Sequence, residues 1–254
     1  ASFGPDTQAI VDRGVLKVGV KNAVQGFSFQ DTLTGEYKGL EDSLAEMIAE
    51  YLGVDVEFTT VTAATRGELL DSGDIDAVLA TFTITEERKE AVDFSDPYAM
   101  AQLAILANAN SGVASIDDLN QPDKKVAVKT GSTGDVYATK NLPEAQIVRL
   151  ADESACVTEV VQGKADGFLY DQLTIYRNNV ANPDTTEAIF IPFQEAESWG
   201  IAVKKGDTEL LDQLNEFIAA SKTDGEFDRL TEKYLADEKR AFDEHGFKWF
   251  FDFE

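Results

Sequence analysis

Arg88 and the hydroxyl residues before it form the part of this sequence whose chemistry is easiest to interpret. An apolar run of strand length precedes Thr81 and Thr83, which lie on the same side of the strand exit. Thr85 is typical of a helix N-cap, which places Arg88 in the first helical turn. A cation there opposes the helix dipole, so an anion bound nearby would explain it. The alternative is a surface arginine that pairs with one of the two glutamates just before it.

Two further cations stand at the ends of predicted elements. Arg66 falls in another first helical turn, because Thr65 and Glu68 have the spacing of a capping box. Lys21 follows the first predicted strand, residues 15–20. Three cations are therefore expected to converge on one place. The alternative for Lys21 is an ion pair with a surface acid such as Glu36, Glu41 or Asp42.

A second set of polar residues follows two later predicted strands. Ser132 and Thr133 belong to a Gly-Ser-Thr-Gly turn between a strand and a helix, an arrangement that can bind an anion through backbone N–H groups. The turn lacks the Gly-Lys-Ser/Thr of a P-loop, and it can also be an ordinary turn. Asp171 begins a helix, for which a simple N-cap is the alternative role.

The stretch 80–98, which contains Thr-Phe-Thr-Ile-Thr-Glu-Glu-Arg and Val-Asp-Phe-Ser-Asp-Pro-Tyr, resembles the signature of the polar amino-acid-binding proteins of bacterial ABC importers. These are the periplasmic solute-binding proteins of family 3, and the resemblance extends over roughly residues 13–236. It implies a protein that captures a free L-amino acid and delivers it to a membrane permease.

The resemblance also implies a role for each polar residue. Arg88, helped by Thr83, would hold the α-carboxylate of the ligand, and Ser132 and Thr133 would donate to it from the second lobe. Asp171 would take the α-ammonium group. Thr81 adds a hydroxyl to the same place as Thr83.

The segments around Lys21 and Arg66 resemble those of aspartate- and glutamate-binding members, in which equivalent cations meet a side-chain carboxylate. L-glutamate or L-aspartate is therefore the expected ligand. Phe27 is a departure, because it resembles the aromatic residue that stacks on ligands in glutamine and basic amino-acid binders. Another polar amino acid such as glutamine remains the alternative, and a basic ligand would be repelled by the cations.

The composition excludes several other functions. The 254 residues carry 47 acidic and 22 basic side chains, a net charge of −25, which argues against nucleic acid and anionic membranes as partners. One cysteine and one histidine leave no disulfide, zinc site or histidine-based triad, so neither a metal nor a cofactor is expected. Cys156 lies in an apolar-periodic run and is expected to be a buried thiol.

The order of elements predicts an α/β protein of the type II periplasmic-binding-protein fold, with two lobes, each with a mixed five-stranded sheet, and a hinged cleft. A Gly-x-x-Asp pattern that opens an apolar strand occurs in both halves, at Gly73 and Gly163, and supports two similar lobes. The predicted boundaries are 1–107 with 196–254 for lobe 1 and 108–195 for lobe 2.

A monomer at the periplasmic or other extracytoplasmic face of the membrane is expected. The sequence begins without a basic and apolar leader, so any signal peptide is expected to have been removed or left out. An enzyme is not expected, although dehydratases resembling this family share the fold. Their chemistry needs an acid or base in the cleft, and the spare candidates Glu41, Glu197 and Lys21 form no constellation.

Overall fold

The computed structural model describes residues 3–252, which divide into two compact units. Residues 3–100, 197–239 and 250–252 form unit 1, and residues 101–196 and 240–249 form unit 2. In chain order, the first elements are α1 (Pro5–Arg13), β1 (Val15–Val20), β2 (Ala23–Val24), β3 (Ser28–Gln30), β4 (Tyr37–Lys38), α2 (Leu40–Leu52), β5 (Asp55–Thr60), α3 (Arg66–Ser72), β6 (Ala77–Val78), α4 (Glu86–Lys89), β7 (Val92–Phe94) and β8 (Ala99–Ala101). They are followed by β9 (Leu103–Asn108), α5 (Ile116–Leu119), β10 (Lys125–Lys129), α6 (Thr133–Asn141), β11 (Gln146–Leu150), α7 (Glu153–Val161), β12 (Gly167–Asp171), α8 (Gln172–Ala181) and β13 (Thr186–Ile189). The last elements are β14 (Glu197–Trp199), β15 (Ala202–Lys204), α9 (Thr208–Thr223), α10 (Glu226–Tyr234) and α11 (Ala236–Glu244).

Unit 1 contains a five-stranded sheet in the order β5-β1-β6-β15-β7. Strand β1 runs parallel to β5 and β6, and β15 runs antiparallel to β6 and β7. The parallel strands end at the same edge of the sheet, where ligands of α/β proteins usually bind. Lys21 follows β1 at this edge, Thr81 lies just beyond β6, and Arg66 opens α3 after β5.

Unit 2 contains the second five-stranded sheet, in the order β11-β10-β12-β9-β13. Strand β10 runs parallel to β11 and β12, and β9 runs antiparallel to β12 and β13. Ser132 follows β10, and Asp171 is the last residue of β12. Two mixed five-stranded sheets confirm the predicted α/β class with two lobes.

The boundary between the units differs from the predicted one at residue 107. Strand β9 was expected in lobe 1, but it pairs with β12 along its length, from Leu103 opposite Asp171 to Ala107 opposite Gly167. It also pairs with β13 on its other side. Backbone pairing on both sides places β9 inside the second sheet, so the division falls after Met100.

The aromatic C-terminal segment also differs from the expected assignment to lobe 1. Residues 240–249 belong to unit 2, where the rings of Phe242 and Phe247 lie 5.4 and 5.3 Å from the ring of Phe190. Phe250 returns to unit 1, and its carbonyl accepts a hydrogen bond from the Met100 N–H at 2.7 Å. The rest of the aromatic tail, at residue 253, lies outside the described residues.

Local patterns explain the best-predicted elements. Helix α2 has the predicted bounds, because Leu40, Leu44 and Ile48 bury one face and Gly53 ends the helix at a φ of 74°. The apolar residues from Ile189 to Phe193 predict a strand there, but the strand of the structure, β13, ends at Ile189. Pro192 has no N–H to donate to a ladder, which limits strand pairing there.

None of the helices in the described part of the chain combines the length and apolarity that a bilayer span requires. Among residues 3–252, no group of His, Cys, Asp or Glu side chains is placed to hold a metal ion. Cys156 is a buried free thiol, as expected, and burial raises its pKa to about 11.

Candidate functional site

Two arginines of unit 1 lie over the ring of Phe82. The Cζ atom of Arg66 is 3.6 Å from the ring centroid, and that of Arg88 is 5.2 Å away. Phe82 itself is buried in the unit 1 core, whereas both arginines are half-buried. Cation–π attraction therefore helps to hold both guanidinium groups beside one apolar surface.

Arg88 is fixed from two sides. The hydroxyl of Thr85 caps the short helix α4 and accepts the backbone N–H of Arg88 at 3.1 Å, as predicted. The Nη1 of Arg88 donates to the carbonyl of Thr83 at 2.8 Å. Arg88 and Thr83 therefore lie together, but the contact uses the main chain of Thr83 and leaves its hydroxyl out.

Arg66 reaches its place without the predicted capping box. The hydroxyl of Thr65 makes no cap hydrogen bond to α3 and instead accepts the backbone N–H of Thr62 at 3.0 Å. A turn from Thr62 to Thr65 thus precedes the helix, and the Arg66 N–H donates to the Thr62 carbonyl at 3.1 Å. Arg66 is the first helical residue, as the sequence indicated, although the local hydrogen bonds differ.

Neither guanidinium group pairs with an acidic side chain in the described part of the chain. Among residues 3–252, no ion pair involves Arg66 or Arg88, and Glu86 pairs with Lys89 at 3.0 Å instead. Burial and the neighbouring charge of Arg88 lower the pKa of Arg66 to about 10. Burial raises the pKa of Glu197, although the charge of Arg88 acts in the opposite direction.

Lys21 joins this group through Thr81. Its Nζ donates to the Thr81 hydroxyl at 2.6 Å, and the Thr81 N–H donates to the buried carboxylate of Glu41 at 2.7 Å. Tyr98, also buried, donates its hydroxyl to the same Glu41 oxygen. The sequence suggests Glu41 as a surface partner of Lys21 or as a spare acid in the cleft, whereas in the structure its side chain is buried and accepts from Thr81 and Tyr98.

The position of Phe27 does not fit the predicted role of stacking on a ligand. Its side chain is 0% exposed, and its ring lies 5.4 Å from Trp199 and 5.2 Å from Phe250 in edge-to-face contacts. A ring enclosed in this way packs the core of unit 1 and offers no open face.

In unit 2, Ser132 caps helix α6, and its hydroxyl accepts the backbone N–H of Asp135 at 3.2 Å. The N–H of Gly131, part of the predicted anion-binding turn, donates to the Asp135 carboxylate at 2.9 Å. Asp135 is buried and also accepts from Arg149 and Thr139, each at 3.0 Å. The turn therefore has one of its donors occupied by an internal carboxylate.

Thr133 and Asp171 complete the unit 2 group. Thr133 is exposed at the start of α6, and Asp171 is half-buried at the start of α8. The two Asp171 carboxylate oxygens accept the backbone N–H and the hydroxyl of Thr174, both at 2.9 Å. Asp171 therefore caps its helix, and each oxygen retains acceptor capacity for a further donor.

Comparison with known proteins identifies the family. Residues 16–237 match the bacterial extracellular solute-binding proteins, family 3. This chain belongs to that family. The glutamine-binding protein of an ABC transporter in Bacillus subtilis (strain 168) is 34% identical over 233 residues, covering 91% of this chain and 84% of that protein. A glutamate-binding protein of Corynebacterium efficiens is 25% identical over 254 residues, covering 95% and 85% of the two chains.

A solved structure agrees with the family assignment. An ancestral amino acid-binding protein, described as a precursor of cyclohexadienyl dehydratase, superposes with a TM-score of 0.76. It is 36% identical and covers 91% of this chain and 100% of that one. This solute-binding protein therefore has the type II fold of its family. The aromatic segment after residue 237 lies outside the family match.

Proposed function

We propose that this protein captures one free L-amino acid with an acidic side chain, L-glutamate or L-aspartate, outside the cytoplasm. It would act as a monomer without a cofactor and deliver the ligand to the permease of an ABC importer. The observation that carries this proposal is the pair Arg66 and Arg88. Both lie against Phe82, and neither has an ion pair within residues 3–252.

The charge of the chain makes this pair informative. With 47 acidic side chains against 22 basic ones, an acidic partner for each arginine would be easy to supply. Burial lowers the pKa of Arg66 most, and the charge of Arg88 lowers it further, because two like charges that are partly removed from water repel each other. A bound anion relieves that repulsion, and the planar fork of arginine suits a carboxylate.

The number of cations supports an acidic ligand. The α-carboxylate of any amino acid would occupy Arg88, assisted by Thr83, and would also receive donors from Ser132 and Thr133. Arg66 and Lys21 then remain for a second carboxylate, with the Thr81 hydroxyl beside Lys21. Asp171 would accept the α-ammonium group. On this proposal the two units close on the ligand by a hinge motion, which small-angle scattering would detect as a smaller radius of gyration.

Glutamine is the second candidate, because the glutamine-binding relative is more similar to this chain than the glutamate-binding one. An amide side chain carries no charge, so it would leave Arg66 without a counter-ion. The two candidates therefore differ in how strongly their binding depends on Arg66.

Calorimetry on protein that has been unfolded, freed of bound ligand and refolded tests the proposal. L-glutamate or L-aspartate should bind at least about tenfold more tightly than glutamine, asparagine or arginine, which corresponds to about 1.4 kcal/mol. Arg66→Ala should remove most of that preference, because the side-chain carboxylate of the ligand loses the guanidinium group that is proposed to bind it. Arg229→Ala, an exposed arginine paired with Glu226, changes the net charge equally and serves as the control.

If glutamine or arginine ranks first, the acidic ligand is wrong while amino-acid binding stands. If no amino acid binds, the function itself is wrong. Incubation with prephenate provides a check for dehydratase activity, and turnover above background would contradict a pure binding role.

A further inference from the structure

Thr81 has a backbone conformation that needs support. Its φ is 47°, and it is the one non-glycine residue with a positive φ in the described part of the chain. A β-branched residue is strongly disfavoured in this left-handed region, because its side chain crowds its own backbone. Such a conformation persists only where neighbouring groups hold it, and such residues are often found at functional sites.

Glu41 supplies a contact that can hold it. Its side chain is 0% exposed, and its Oε2 accepts both the Thr81 N–H, at 2.7 Å, and the Tyr98 hydroxyl. Its Oε1 has no hydrogen-bond partner among the described residues. A carboxyl group is costly to bury, so its place behind Thr81 needs a reason beyond packing.

The contact continues to the candidate ligand site. Thr81 presents its hydroxyl to Lys21, whose Nζ donates to it at 2.6 Å. Lys21 is therefore oriented by Thr81, and Thr81 is oriented by Glu41. We propose that Glu41 is a positioning residue of the ligand site, which holds Thr81 in its left-handed conformation and thereby places the Lys21 ammonium. This inference rests on the proposed function, because it assigns Lys21 to ligand binding.

The role is indirect. Glu41 has no accessible surface, so it cannot itself touch a ligand. A purely structural role would make Glu41 important for stability alone. A positioning role makes its effect on affinity depend on residue 81, because glycine adopts a positive φ without support.

The test combines two substitutions. Glu41→Met removes the acceptor at similar length, Glu41→Gln keeps a carbonyl acceptor, and Thr81→Gly removes the need for support. Dissociation constants are measured by calorimetry with the amino acid that the wild-type protein binds most tightly. Exchange of the Thr81 amide hydrogen, followed by NMR in the ligand-free protein, reports the hydrogen bond itself.

Glu41→Met should weaken binding by at least about tenfold and speed exchange of the Thr81 amide, whereas Glu41→Gln should change affinity by less than about threefold. In the Thr81→Gly background, Glu41→Met should cost less than about threefold in affinity, because the glycine needs no support. Thr81→Gly also removes the hydroxyl that accepts from Lys21, so its own affinity is the reference for this background. An effect of Glu41→Met on affinity that disappears here, while its effect on the melting temperature remains, supports positioning.

Equal losses of affinity in the two backgrounds, or an unchanged dissociation constant in folded Glu41→Met, would overturn the role of Glu41 and leave the proposed function intact. If Glu41→Met does not fold, hydrogen exchange of the Thr81 amide in the wild-type protein is the remaining test. Rapid exchange would show that the hydrogen bond to Glu41 is absent and would overturn the role of Glu41. A wild-type protein that binds no amino acid would overturn both proposals.

Discussion

The candidate residues of unit 1 and unit 2 differ in what already occupies them. In unit 1, the Arg66 and Arg88 guanidinium groups have no ion pair among the described residues. In unit 2, the polar groups of Ser132 and Asp171 already cap helices α6 and α8. On the proposed function, the unit 1 group would offer a ligand charge that no ion pair uses, whereas Ser132 and Asp171 of unit 2 would have to serve a helix and a ligand together.

Buried acids also differ between the units, in how far their hydrogen bonds compensate for the loss of water. Burial raises the pKa of Asp42 in unit 1 to about 7, because the single hydrogen bond from Ser28 does not compensate for lost water. Burial acts in the same direction on Asp135 in unit 2, but hydrogen bonds from Gly131, Thr139 and Arg149 outweigh it and hold the pKa of Asp135 below its usual value. Hydrogen bonding, and not burial alone, decides the charge of each acid.

The largest expected effect is the loss of amino-acid binding when Arg88 in unit 1 or Asp171 in unit 2 is replaced by alanine. Arg88→Ala and Asp171→Ala should each weaken amino-acid binding by about 2–5 kcal/mol, because each leaves a ligand charge without its partner. Only Asp171→Ala should also lower the free energy of unfolding, by about 1 kcal/mol, because it removes a helix cap. Calorimetry and urea unfolding measure the two quantities.

Arg229→Ala is the control for charge, and Asp152→Ala is the control for capping, because Asp152 caps α7 in unit 2 by accepting the Ala155 N–H at 2.8 Å. Asp152→Ala should lower stability without changing affinity. Wild-type affinity in Arg88→Ala or Asp171→Ala would remove that residue from the site.

The contrast between Asp42 and Asp135 predicts opposite effects of pH. A raised folded pKa means that Asp42 favours folding when protonated, so its contribution is lost as the pH rises from 3.8 towards about 7. Asp42→Asn should therefore gain about 1–3 kcal/mol of stability relative to the wild type between pH 5 and pH 8. Urea unfolding at pH 5 and at pH 8 measures the difference in stability between variant and wild type. Glu50→Gln, at an exposed position of the same helix, is the control for the change in charge.

Asp135→Asn should have the opposite sign. The lowered pKa of Asp135 means that its ionised form stabilises the fold above 3.8 and that this contribution is lost as the pH falls. The asparagine variant should therefore be less stable than the wild type at pH 8, and the difference should shrink in acid. A loss of stability for Asp42→Asn at pH 8 would contradict the contrast between the two acids.

These buried acids also mark the limit of what the sequence could predict. Periodic apolar residues and a terminal glycine predicted α2 correctly, because those signals are local. Glu41 and Asp42 look like the acidic first turn of an exposed helix. Both are buried, however, and Glu41 accepts hydrogen bonds from Tyr98 and Thr81, which are distant in sequence. The left-handed φ of Thr81 likewise has no local signal, and the carboxylate that accepts its N–H, Glu41, lies 40 residues earlier in the chain.

Long-range pairing explains the other differences. Arg88, Thr83 and Thr85 lie in one motif, so their grouping could be predicted, and Arg66 was found from its place at a helix start. The membership of β9 in the second sheet depends on partners on both sides, β12 and β13, which follow it in the chain. The enclosure of Phe27 depends on Phe250, at the other end of the sequence.

The smallest expected effect concerns Ser132, whose hydroxyl can serve a helix and a ligand together. A serine hydroxyl has one donor and two acceptor positions, so it can accept the Asp135 N–H and donate to a ligand carboxylate at the same time. Ser132→Ala should therefore lower both the free energy of unfolding and the free energy of binding by about 1 kcal/mol each. Ser132→Thr retains the hydroxyl and should retain most of both. If Ser132→Ala loses stability but keeps wild-type affinity, Ser132 serves only as a helix cap, and the contribution of unit 2 to the ligand reduces to Thr133 and Asp171.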